Sequence, residues 1–242
     1  MIAVKPKYSL EEYLSQWDAA HKKAHQTIPL FNPERTRNLS AKQKKYFVEI
    51  FYHAICHSYK FLCALGNKAP PEYKGIIVQN IAEEFGGDSR SHEQLYQMFA
   101  ASLSVELLTE FTEENNYPGF LQAYNRALCL YVQINDWANS FSAFSAYERL
   151  DNIDYADLKI LAENFGVTQD ALEFFRVHIN SNHFETTRKK LEELWETESS
   201  SVKRGYDFIF INQIMMWRSL SDAVFTHDLP AGLISKLRMQ YF

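Results

Sequence analysis

Residues able to do chemistry cluster in a few short stretches of this chain. In Asn80-Ile81-Ala82-Glu83-Glu84-Phe85-Gly86-Gly87 a helix ends in two carboxylates and breaks at glycine, and His92 falls in the first turn of the next helix. A carboxylate at one helix end and an imidazole at the next start can converge on one metal ion, and iron or manganese accepts such a mixed oxygen and nitrogen set. The same residues also read as an exposed Glu-Glu pair beside a histidine near a cap. Glu148 is a second candidate. It shares a helix face with Phe141 and Phe144 at i, i+3, i+7 spacing. A carboxylate on an aromatic stripe must be paired, metal-bound or shifted toward protonation, because an isolated buried charge is too costly. Arg149 or a lysine is its plain alternative partner.

The third stretch is His178-Ile179-Asn180-Ser181-Asn182-His183-Phe184-Glu185. On one continuous helix His178, Asn182 and Glu185 share a face, as ligand columns do in helical di-metal bundles. His183 is one step off that column and would point elsewhere. Asn182 followed three residues later by Glu185 is also a capping-box pattern, which would start a new helix there. His53 and His57 form an i, i+4 pair in the same stripe as Tyr46 and Ile50. That spacing can chelate zinc, and it equally describes two packed core histidines. Cys129 has no visible activating partner and reads as an inert thiol. Phosphate-cradling GxGxxG and GxxxxGK[ST] motifs and the GxSxG elbow are missing, so nucleotide binding and the common serine-hydrolase chemistry have no sequence support.

The elements that must position these groups are helices. Ser9 with Glu12, Ser40 with Gln43 and Ser91 with Gln94 are capping boxes that open three of them. Leu10, Tyr13, Leu14 and Trp17 recur at helical spacing in the first. The second carries Tyr46, Phe47, Ile50, Ala54, Phe61 and Leu65, with Gly66 expected to end it. The third starts near Pro71 and stops at Gly86-Gly87. A long helix is expected from Pro118 toward Tyr147, bent near Asn135-Asp136. Shorter ones cover about 155–165, closed by Gly166, and the stretch from Thr168 onward. Another runs to about Glu196, and the last long one follows Ser199-Ser200-Ser201 and ends near Phe225. No strand-like alternation is sustained, and the chain reads as one all-α domain over 1–242.

Composition narrows the function classes. The 242 residues hold 46% hydrophobic and 23% charged side chains, with only 8 glycines and 7 prolines, which favours long helices over a many-stranded sheet. The 25 basic and 30 acidic residues give a net charge of −5 with no basic block, which argues against nucleic acid or an anionic membrane as a partner. The apolar stretch from Phe208 to Trp217 is too short to span a bilayer. Three cysteines without a CxxC pair, and a start without a signal-peptide core, point to the cytoplasm. Aromatic residues reach 15%, enough to line an apolar pocket.

Taken together and in this order, the three stretches resemble the haem-oxygenase-like di-metal oxidase superfamily with the TenA/PqqC-type helical fold, and most closely the CADD-like proteins. The family pattern is a Glu-Glu-x-Gly helix end, a histidine opening the next helix, a glutamate after a tyrosine on a long helix, and a histidine followed by aspartate at +4 and histidine at +7. Glu83 and His92 match the first part, with two extra residues between them, and Ala146-Tyr147-Glu148 and His178 match the next two. Asn182 and Glu185 stand where the family has aspartate and histidine, a swap that keeps three anionic ligands. The resemblance spans the second helix to about Leu194.

It implies an all-α bundle and an oxidase that uses two iron ions, or one or none if the altered ligands fail, with O₂ as co-substrate. The implied ligand set is Glu83, His92, Glu148, His178, Asn182 and Glu185. Tyr147, His53 and His57 become candidate catalytic or pocket residues around a small organic substrate. A homodimer is compatible with this reading. Two alternatives remain beside it: a metal-free member of the fold that binds a small molecule or a protein, and metal-independent pocket chemistry of the TenA or PqqC kind.

Overall fold

A computed structural model describes residues 8–86, 90–107, 117–181 and 183–229. Among them every element is helical: ten α-helices and two single 3₁₀ turns. α1 (Leu10–His25) starts at Ser9, whose side chain and that of Glu12 satisfy each other's free backbone N–H groups. A 3₁₀ turn (Pro29–Phe31) and the one-turn α2 (Pro33–Thr36) lead to α3 (Ala41–Ile55), opened by the Ser40–Gln43 box.

The second helix differs from expectation. It breaks at Cys56-His57, and α4 (Ser58–Lys68) follows. Gly66 therefore lies inside α4, with an ordinary negative φ. The stop is supplied instead by Ala69-Pro70-Pro71. The residue before a proline is pushed out of helical geometry, and Ala69 sits at φ −62°, ψ 128°. α5 (Pro71–Glu84) ends at Phe85 and at Gly86, whose φ of 98° needs a glycine. α6 (His92–Ser102) opens with the Ser91–Gln94 box.

The helix expected from Pro118 to Tyr147 is two. α7 (Gly119–Ile134) ends at an extended Asn135, and the Asp136 carboxylate accepts the Asn139 N–H to start α8 (Trp137–Phe165). α8 absorbs the separate helix expected over 155–165 and closes at Gly166, φ 80°. A 3₁₀ turn (Asp170–Leu172) precedes α9 (Glu173–Asn180). α10 (His183–Thr226) joins the last two expected helices through a kink at Glu198 (φ −139°, ψ 39°).

α8 and α10 share the most extensive helix contact in the molecule. Ser140, Ser142, Ala143, Ser145 and Ala146 are wholly buried there, and small side chains let the two backbones close in. Gly205 of α10 lies at a close approach: a Cβ on it would stand 2.6 Å from the Ala143 backbone nitrogen. The buried hydroxyls are satisfied locally or across the seam, as in Ser145 to Thr187 at 2.8 Å. One continuous apolar core reaches from Leu10 to Val224. Among the described residues no helix is long and apolar enough to cross a membrane.

Candidate metal centre

Four helices bring carboxylates and imidazoles to the wall of one cavity of about 450 Å³, with Glu84, His92, Asp151 and His178 in its lining. α5 ends in Glu83 and Glu84, and α6 begins at His92. His92 Nδ1 stands 3.3 Å from Glu84 Oε1. Its ring lies 4.4 Å from that of His178 on α9. The Glu-Glu helix end and the histidine of the next helix thus meet, as their spacing suggests, although the partner of His92 is the second glutamate rather than the first.

His178 is held tightly. Its Nδ1–H donates to the Phe174 carbonyl at 2.7 Å, one turn back on α9. Its ring stacks on Tyr155 at 4.0 Å with an interplanar angle of 4°. With Nδ1 committed as a donor, Nε2 keeps its lone pair, the form in which a histidine ligates a metal. Burial, and then the neighbouring His92, push its pKa well down, so the ring is neutral.

The helix does not continue past Asn180. Ser181 is extended (φ −62°, ψ 143°) and a new helix opens at His183. Asn182 lies outside the described residues. The break turns His183 into the site: its Nδ1–H donates to Glu148 Oε2 at 2.8 Å, and its Nε2–H bonds Glu83 Oε2. Burial works against a charge on this ring, but the hydrogen bonds and charges of Glu148 and Glu83 outweigh it and raise its pKa to about 9. Glu185 does not reach the cluster. It is half exposed on α10 and faces Arg188 at 3.6 Å, because the column of His178, Asn182 and Glu185 requires a continuous helix and the chain breaks inside it.

Asn152 of α8 fastens this break. Its Nδ2 donates to the carbonyls of His178, Ile179 and Ser181 at 3.0–3.1 Å, and so ties α8 to the chain on both sides of the break.

Glu148 is buried and its pKa is raised, by burial first and Glu84 among the neighbours. Its sequence neighbour Arg149 turns away and forms a bidentate pair with Asp18, both bonds at 2.7 Å. Asp151, one turn on from Glu148, lines the same cavity. Burial and the Glu148 charge drive its pKa well up. Tyr147 also lines the cavity, and burial keeps its phenol protonated. Tyr59, Phe85, Tyr96 and Phe174 complete an aromatic wall.

His53 and His57 do not line this cavity, though Cys56 between them does. His53 stacks on Tyr117 at 3.9 Å, and the Tyr117 hydroxyl lies 3.5 Å from His57 Nε2 and 3.3 Å from Cys56 Sγ. His57 instead borders a second cavity with Cys129.

Three members of the cluster are absent from the sequence-based set: Glu84, Asp151 and His183. Asp151 repeats the Glu148 signal at i+3 on one face. His183 follows from the capping-box alternative, which puts it in a first turn as His92 is.

The donor set suits iron. Four carboxylates and three imidazoles are the mixed hard and borderline ligands that Fe(II) takes. Glu148, buried, and Asp151, half-buried one turn on, are both pushed toward protonation, a place where a cation would restore both charges. Among the described residues no group of these side chains already encloses a point for an ion; Glu83, His183 and Glu148 bond one another instead.

A family model described as iron-containing redox enzyme matches residues 45–199. A search of curated proteins finds no match. Solved structures share the fold. A domain of unknown function with a haem-oxygenase-like fold from Shewanella denitrificans superposes with a TM-score of 0.75 at 14% identity, covering 93% of this chain and 97% of its own. A CADD-like protein of unknown function from Nostoc punctiforme gives 0.67 at 15%, covering 89% and 99%. A TenA homologue from P. horikoshii gives 0.61 at 11%, covering 90% and 98%. Helices from α3 to α10 supply the matched segment, and it contains every carboxylate and imidazole of the cluster: the chain belongs to the iron-containing redox enzyme family.

Proposed function

We propose that the protein is an oxygen-dependent oxidase that uses two iron ions to act on a small organic substrate held in the aromatic cavity. The observation that carries this reading is the convergence of seven donors from five helices: Glu84, His92, Asp151 and His178 line that cavity, and Glu83, His183 and Glu148 form a hydrogen-bonded chain beside them. These residues would hold the metal; bound iron supplies the binding and reduction of O₂. The protein's own part is positional and electrostatic. Asn152 and Phe174 fix His178, and Tyr155 locks its ring plane. His183 carries a proton between Glu83 and Glu148 while no metal is present, and must release it to become a ligand. The tyrosine and phenylalanine side chains of the lining suit an apolar substrate body. The protonated Tyr147 phenol offers a hydrogen-bond donor inside the cavity.

The test is iron content after anaerobic loading with Fe(II) and desalting. Two irons per chain, with an absorbance change on adding oxygen, are expected. Folded protein without iron refutes the reading. It would favour a metal-free binding protein of the same fold, which has one observation of its own: Glu83, His183 and Glu148 already satisfy one another.

A further inference from the structure

Away from the cavity, α1 and α8 enclose a second group of donors. His21 and His25 lie one turn apart on α1, and Asp154 of α8 faces both. All three are essentially sealed from solvent, at 0%, 2% and 1% exposure. Asp154 Oδ1 stands 3.1 Å from His21 Nε2 and 3.3 Å from His25 Nε2. Neither approach is a hydrogen bond: both Nε2 atoms, Oδ1 and His21 Nδ1 are without a hydrogen-bond partner. Buried polar atoms are nearly always satisfied, and several orphans in one spot call for a water or an ion that belongs there.

The rest of the carboxylate is well provided for. Asp154 Oδ2 accepts from Trp217 Nε1 at 2.7 Å and from Gln213 Nε2 at 3.3 Å. Oδ1 is thereby left over, on the side of the two imidazoles. Behind His25, Asp157 Oδ2 lies 3.1 Å from Nδ1, the carboxylate–histidine arrangement that orients a metal-binding ring. Burial lowers the pKa of His21, which favours the neutral, ligating form. The spacings also match: donors bound at about 2.0–2.1 Å in a tetrahedral site stand roughly 3.3 Å apart.

We propose that His21, His25 and Asp154 form a separate site for a divalent transition ion of the zinc class, tying α1 to α8. It shares no side chain with the cavity cluster. Each ring approaches Oδ1, but among the described residues no three such donors already stand around a point that could hold an ion, so binding requires the two rings to close onto a common point beside Oδ1. The competing account is a proton: one imidazolium, shared with Asp157, neutralising Asp154 without metal.

Zinc titration of the metal-free full chain against a chromophoric chelator separates the two. His25→Gln and Asp154→Asn should each lose one equivalent of tight binding, at least a hundredfold in affinity, while Glu148→Gln keeps it. Unchanged zinc uptake in both His25→Gln and Asp154→Asn overturns the proposal. Because a buried variant can fail to fold, the wild-type chain provides a second reading. Zinc-edge anomalous diffraction should show a peak bonded to both Nε2 atoms, and zinc-soaked crystals without that peak overturn the proposal as well.

Discussion

Two glycine-to-alanine substitutions should move stability in opposite directions, one on the exposed face of α5 and one in the α8–α10 seam. Alanine is favoured over glycine in a helix interior by about 0.8–1.0 kcal/mol. At Gly75, exposed within α5, a Cβ meets nothing within 4 Å, so Gly75→Ala should gain nearly that amount. At Gly205 the same propensity gain meets a wall. The new carbon would lie 2.6 Å from the Ala143 nitrogen and 2.8 Å from the Asn139 carbonyl oxygen, against 3.4 Å for ordinary contact. Both are backbone atoms of α8 and cannot swing aside. The helices would have to separate by up to about 0.8 Å, forfeiting dispersion along their whole contact. Overpacking of this kind costs about 1–3 kcal/mol or more. A net loss of ~2 kcal/mol is expected for Gly205→Ala, and a difference of ~3 kcal/mol between the two variants. Equilibrium urea unfolding followed by circular dichroism measures both. A Gly205→Ala midpoint equal to or above the wild type would refute the close-approach argument, since propensity alone would then have decided the sign.

Further outcomes concern the cavity cluster. In metal-free protein, His183 has its folded pKa raised from 6.5 to about 9, so its stabilisation is complete below pH ~6.5 and is lost as pH rises through about 9, at most roughly 3 kcal/mol. Thermal melts from pH 6 to 10 should show that decline, and His183→Gln should flatten it. Asn152→Ala removes three hydrogen bonds from the end of α9. It should weaken iron binding about 10–100-fold, the usual cost of losing an outer partner, measured by competition with a chelator. Glu148→Ala should abolish iron uptake in the same assay. Glu185→Ala, changing a half-exposed side chain paired with Arg188, should leave iron uptake unaltered and shift stability by less than about 0.5 kcal/mol.

What could be read from the sequence was local. The boxes at Ser9, Ser40 and Ser91 are three-residue signals, and all three helices start where they say. The Glu-Glu end of α5 and His92 meet because a short loop leaves them few alternatives. Where helices merge or split, local signals competed. The prolines after Ala69 outweighed Gly66, and the Asp136 cap split what periodicity alone would join. At 181–182 the helical column and the capping pattern were both legible, and the tertiary clamp from Asn152 is what favours the break. Arg149 choosing Asp18 over Glu148 depends on a contact 131 residues away, beyond any window. His21 and His25 carry the same i, i+4 signal as His53 and His57, and gain meaning only once folding adds Asp154.

The break that swings His183 into place also fixes an order of events during synthesis. Glu83 and His183 are 100 residues apart, and Glu148 lies 35 before His183. A chain emerging from its N-terminus has made most of its helices before the imidazole that joins those two carboxylates exists. Until then Glu83 and Glu148 have nothing to bridge them, and no shorter fragment holds the full cluster. Completion of this centre is therefore a step of the nearly finished polypeptide, and a truncation before residue 183 should lack the imidazole that joins Glu83 to Glu148.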